Sequence, residues 1–127
     1  AFDLFDQLGM AVWLEDETQF DLATALAGSG PGFVYRFIDA LSGAAQALGL
    51  AQDQAQTLAL SMVDGAATLA ASASESPGVL ADKVASAGGM TREGLNVLDA
   101  DDVLQELLIE TLRKTRDRGA QLSSGKA

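Results

Sequence analysis

The sequence predicts an all-α domain, on three observations. Apolar residues recur at helical spacing along most of the chain, and proline and glycine fall between those runs. Small residues rather than aromatic ones carry the hydrophobicity: of 127 residues, 48% are hydrophobic but only 6% are aromatic. Alanine favours helix and lets neighbouring backbones approach closely. At most one short strand is expected, near residues 11–14, and the length suits a single core.

Taken in order, Phe2, Phe5 and Leu8 stand at helical spacing, with Gly9 placed to end a first short helix. Ala11 to Leu14 reads as extended, and a lone strand needs a partner that the chain does not obviously supply. Asp16 or Thr18 caps a helix to about Ala27, which Gly28-Ser29-Gly30-Pro31-Gly32 interrupts. Pro31 suits the first turn of a new helix, where its missing N–H costs nothing. That helix carries Phe33, Val34, Phe37, Ile38 and Leu41 and ends near Gly49.

A third helix is expected from Gln52 to about Ala71, little charged and so buried on most sides, with Gly65 permitting close helix contact. Ser76-Pro77 signals a cap and a first-turn proline, opening a short helix to about Ser86. Thr91 caps another short helix, with Leu95, Val97 and Leu98. Asp101 or Asp102 caps the last, where Val103, Leu104, Leu107, Leu108, Thr111 and Leu112 form a wide apolar side. Glu110 and Lys114 make a favourable pair one turn apart. So much apolar helix surface points to an obligate homodimer with interleaved helices.

Charge and residue usage exclude several functions. The net charge is -10, so phosphate backbones are repelled and nucleic acid is not an expected partner. Arg113, Lys114, Arg116, Arg118 and Lys126 crowd the end of the chain, where cations complement a helix dipole. Cysteine and histidine are absent, which removes thiol nucleophiles, disulfides, imidazole bases and the commonest metal ligands. The acidic runs Glu15-Asp16-Glu17 and Asp99-Asp101-Asp102 read as solvated caps, and no metal is expected. The most apolar stretch, Leu58 to Ala73, carries Asp64 and is too short to span a membrane. No signal-peptide pattern opens the chain, so a soluble cytoplasmic protein is expected.

One loop has the chemistry of a binding site. In Ser86-Ala87-Gly88-Gly89-Met90-Thr91, two glycines tolerate left-handed dihedrals and let a ligand approach the backbone. A helix begins next, and its first N–H groups lack internal partners and carry partial positive charge, which suits phosphate or carboxylate. Spacing alone fits an ordinary join of two helices better, a glycine ending one and Thr91 capping the next. The Gly28 to Gly32 segment lacks the preceding strand and the spacing of a dinucleotide fingerprint.

Four segments occur in order: Thr24-Ala-Leu-Ala-Gly-Ser-Gly-Pro-Gly32, Leu48-Gly-Leu50, Asp64-Gly-Ala-Ala67 and Asp82-Lys-Val-Ala-Ser-Ala-Gly-Gly-Met-Thr91. Together, from about Trp13 to Leu122, they resemble the C-terminal domain of pyrroline-5-carboxylate reductase. The resemblance implies an interleaved helical dimerisation domain of the 6-phosphogluconate dehydrogenase C-terminal-like type. It divides the chain into the end of an N-terminal domain (1–15), a dimerisation and substrate-binding domain (16–122) and a flexible tail (123–127).

It also implies that the full-length enzyme reduces 1-pyrroline-5-carboxylate to proline with NADPH or NADH bound to an N-terminal Rossmann domain. No glycine fingerprint for such a cofactor occurs in this chain, so the chain alone is expected to bind none and to be inactive. Carried over to matching positions, Ser86, Gly88, Gly89, Met90 and Thr91 hold the substrate carboxylate and Val84 lines an apolar pocket. The Thr91 hydroxyl lies near the ring nitrogen, where a proton is needed, as the catalytic group. The small-molecule substrate apart, the expected partner is a second copy, as a homodimer or a higher oligomer such as a decamer.

Three positions depart from the family pattern. Ala87 stands in place of a proline, Met90 in place of a small residue or threonine, and Gly32 in place of alanine. The alternative reading is a non-catalytic helical oligomerisation protein that keeps the fold.

Overall fold

The computed structural model describes residues 2–5, 11–14 and 16–125. Its elements are two strands, β1 (Phe2–Phe5) and β2 (Ala11–Leu14), followed by five helices. These are α1 (Glu17–Ala47), α2 (Gln52–Ser72), α3 (Pro77–Gly88), α4 (Met90–Asp99) and α5 (Val103–Ser123). From Glu17 onward every regular element is helical, as expected for an all-α domain.

The first segment corrects the expectation of one helix and at most one strand. Phe2–Phe5 is extended and pairs antiparallel with Ala11–Leu14, with Phe2 opposite Leu14 and Phe5 opposite Ala11. A helix ending at Gly9 would be too short to persist alone, whereas aromatic residues favour the extended form and a ladder satisfies both backbones. The strand at 11–14 therefore has a partner within the chain. Leu8 and Gly9 lie outside the described residues.

A second correction concerns Gly28 to Gly32, which does not break the helix. α1 runs unbroken through Pro31. Proline's fixed φ is compatible with helix, and what it removes is one hydrogen bond, to the carbonyl of Ala27. The apolar run continues on both sides, from Leu22 and Leu26 to Phe33 and Phe37. Asp16 begins α1, its carboxylate accepting from the Gln19 N–H at 2.9 Å. The helix closes through Gly49 at φ 124°, a conformation that side chains disfavour, with the Leu50 amide reaching back to the Ala45 carbonyl at 3.1 Å.

α2 and α3 start where the sequence puts them. The Ser76 hydroxyl accepts from the Val79 N–H at 3.3 Å, and Pro77 fills the first turn. Asp101 and Asp102 both stand at φ 54° in a single turn before α5. Aspartate tolerates that conformation better than most residues. The basic residues of α5 precede its last turn, which holds none, because the helix continues to Ser123. Glu110 pairs with Arg113 at 3.3 Å.

Two compact units are formed, one with the hairpin, α1 through Val34, and α5; the other runs from Tyr35 to Asp102. In the first, Ala25 is buried. In the second, Ala55, Ala59, Ala85 and Ser42 are, the last with its hydroxyl on the Asp39 carbonyl. Among the described residues no large side chain is fully buried, and many leucines and valines lie open, Leu48 at 90% exposure. Such a chain leaves many large apolar side chains uncovered by its own residues, which is the condition of a subunit rather than of a stable monomer. No described helix is long and apolar enough to cross a membrane.

Candidate functional site

The segment singled out by its glycines is the joint between α3 and α4. α3 extends two residues beyond Ser86 and ends at Gly88. Gly89 follows at φ 70° and ψ -48°, serving both to close α3 and to open α4. Its N–H donates to the Ala85 carbonyl at 3.2 Å, and Ala85 is 3% exposed, so the inner side of the joint is packed. A side chain at Gly89 would meet nothing within 4 Å, so the φ value, not crowding, requires glycine here.

Thr91 is not the cap of α4, as the spacing had implied. It is the second residue of that helix and is half-buried. Gly89 holds the cap position instead, and no side chain caps the helix. The reason is geometric: a left-handed Gly89 turns the chain straight into helix at Met90, one residue before Thr91 could act. The first N–H groups of α4 thus begin without a side-chain acceptor, the arrangement that favours an anion.

The other expected residues follow from the same geometry. Met90 opens α4 and is 83% exposed, while Val84, on α3, is 59% exposed. Ser86 is exposed, and its hydroxyl donates to the Asp82 carbonyl at 2.9 Å, a bond internal to α3. To donate to a ligand it must leave that bond, although its oxygen can still accept. Gly88 is the last residue of α3.

One pairing at this joint escaped the sequence reading. Arg92, on α4, donates to the Asp82 carboxylate, on α3, with Nη2 to Oδ1 at 3.0 Å. Ten positions separate them, outside any helical spacing, so only the turn at Gly89 brings them together. A second ion pair, Lys83 with Glu75, ties α3 to the segment before it.

Elsewhere, a shallow polar cleft of the first unit is lined by Glu17, Thr18, Asp21, Ala120, Ser123 and Ser124. In the second unit, an apolar groove of about 380 Å³ includes Leu41, Leu48, Leu58 and Met62. Among the described residues no three acidic side chains converge as metal ligands do. The Gly28 to Gly32 run lies inside α1 rather than at a strand-to-helix turn, so it does not fit a dinucleotide's pyrophosphate.

Residues 17–122 match the family model described as pyrroline-5-carboxylate reductase dimerisation. Pyrroline-5-carboxylate reductase 2 of Bacillus subtilis is 36% identical over 119 residues, covering 94% of this chain and 42% of its own length. The solved pyrroline-5-carboxylate reductase of Coxiella burnetii superposes with a TM-score of 0.79 at 35% identity, over 87% of this chain and 41% of that one. A pyrroline carboxylate reductase of Plasmodium falciparum, solved with NADP bound, gives 0.74 at 27% identity, over 83% and 40%. The chain thus spans less than half the length of the relatives it matches. It belongs to the pyrroline-5-carboxylate reductase dimerisation family, and that membership supports self-association.

Proposed function

We propose that this chain is the dimerisation and substrate-binding part of a pyrroline-5-carboxylate reductase. The complete protein reduces 1-pyrroline-5-carboxylate to L-proline with NADPH or NADH. The observation that carries the proposal is the helix start at Met90, free of a side-chain cap and preceded by a left-handed glycine, in a chain of this family. A carboxylate there accepts from the first N–H groups of α4, with Ser86, Gly88, Gly89, Met90 and Thr91 around it.

The roles divide by chemistry. Gly89 lets the ligand approach the backbone, because no Cβ stands in the way. Thr91 supplies the hydroxyl nearest the helix start and is the group assigned to the ring nitrogen, where reduction of a C=N bond also requires a proton. Val84 offers the apolar carbons of the ring a matching surface. A nicotinamide cofactor supplies the hydride, and the NADP-bound Plasmodium relative supports one for the complete protein. The Gly28 to Gly32 run lies within α1 and does not fit a pyrophosphate, and the cofactor is assigned to a part of the protein outside this chain.

A second copy of the chain completes the picture. The exposed leucines of α1, α2 and α5 need cover, and pairing with an identical subunit through interleaved helices supplies it. The relatives' shared name as reductases does not favour a purely structural oligomerisation protein.

The direct test is reduction of 1-pyrroline-5-carboxylate by the complete protein, followed by loss of NADPH absorbance. Turnover with proline as the product is expected. A folded, cofactor-binding protein without that activity overturns the proposal.

A further inference from the structure

We infer that Asp82 and Arg92 act as a positioning pair, setting the angle of the first turn of α4 and with it the grip on the substrate carboxylate. The inference rests on the reading of the Ser86 to Thr91 segment proposed above. Among the ion pairs of the described residues, this one alone joins two helices. Arg36 with Asp39, Arg113 with Glu110, and Arg116 with Asp117 each lie within one helix.

The joint that the pair spans is intrinsically soft. Gly89 stands at φ 70° with open space where a Cβ would be, and no side chain caps α4. Glycine has the widest backbone freedom, so an angle set there must be held by contacts made elsewhere. The Gly89–Ala85 backbone bond holds one side. The guanidinium of Arg92, immediately after Thr91, holds the other by reaching Asp82.

Asp82 serves both sides of the loop. Its main-chain carbonyl takes the Ser86 hydroxyl at 2.9 Å, and its carboxylate takes Arg92 at 3.0 Å. One residue thus fixes the last turns of α3 and the start of α4. The carboxylate also occupies Arg92, which would otherwise be free to capture an incoming anion away from the backbone donors. With side-chain exposures of 43% and 70%, the pair contributes little to stability, and its loss should leave the fold in place. What it contributes is a tie between the two helices, through the single Nη2 to Oδ1 contact at 3.0 Å.

The test uses the complete protein with Asp82→Asn, Arg92→Gln, the double variant and Arg92→Lys. Each neutral single variant should raise KM for 1-pyrroline-5-carboxylate by about five- to tenfold, with kcat and the cofactor KM within about twofold of wild type. The double variant should be no worse than either single, because both remove the same contact. Arg92→Lys, which keeps the charge but not the reach and shape of the guanidinium, should fall between. Single variants at wild-type KM, or additive losses in the double, overturn the positioning role. Wild-type activity with an impaired Thr91→Ala but silent pair variants sinks this inference alone. A wild-type protein that does not reduce the substrate sinks the proposed function, and this inference with it.

Discussion

The amide of Gly89 donates to the carbonyl of Ala85 at 3.2 Å while Gly89 itself stands at φ 70°. That bond closes α3, and the left-handed residue that makes it opens α4 without an intervening cap. The same turn frees the first donors of α4 and brings Arg92 onto Asp82.

Gly89→Ala should therefore destabilise the protein through conformation rather than crowding. At φ 70° and ψ -48° a residue with a Cβ is strained by about 1–3 kcal/mol, so Ala and Asn should both lose stability relative to Gly89. Thermal unfolding of the three proteins checks this. A Gly89→Ala protein as stable as wild type would show that the turn is not left-handed in solution.

Thr91→Ala and Ser86→Ala should separate in the complete protein. Thr91→Ala is expected to lower turnover and raise the KM for 1-pyrroline-5-carboxylate, with NADPH binding nearly intact. Ser86→Ala should do less, because its hydroxyl is already committed to the Asp82 carbonyl. Steady-state kinetics on both variants decides, and unchanged turnover in Thr91→Ala removes that residue from the site.

Pro31→Ala tests the continuity of α1. Proline inside a helix costs about 3 kcal/mol relative to alanine, mostly through the lost hydrogen bond and the clash with the preceding turn. Alanine is smaller than proline and restores the backbone N–H, so the substitution should raise the melting temperature. A lower one would mean that proline at this position is needed for subunit packing.

The chain should associate to a dimer or larger at micromolar concentration. Light scattering combined with size exclusion measures this. A clean monomer would contradict the subunit reading of its open apolar surface, in which Leu26, Leu48, Leu69 and Leu107 all lie exposed.

Much of this was legible locally. Ser76-Pro77 marked the start of α3 because a hydroxyl cap and a first-turn proline act within one helical turn. The extent of α2 followed from its apolar periodicity, and the glycine joint from its composition. Other features depended on distance. The helix assigned to Phe2 and Phe5 turned into a strand because its partner lies about ten residues on, and local spacing does not encode pairing. The break assigned to Gly28 to Gly32 failed because propensity near one proline is outweighed by the helix on either side.

By itself the sequence determined the helical class, the apolar faces and the resemblance to a reductase family, which the comparisons bear out. These depend on residue type and short spacing. The tertiary structure decided that Gly89 rather than Thr91 starts α4, that β1 and β2 pair, and that Asp82 meets Arg92. Each of those depends on the sign of a dihedral or on a contact made through space, and neither is written in the order of the residues.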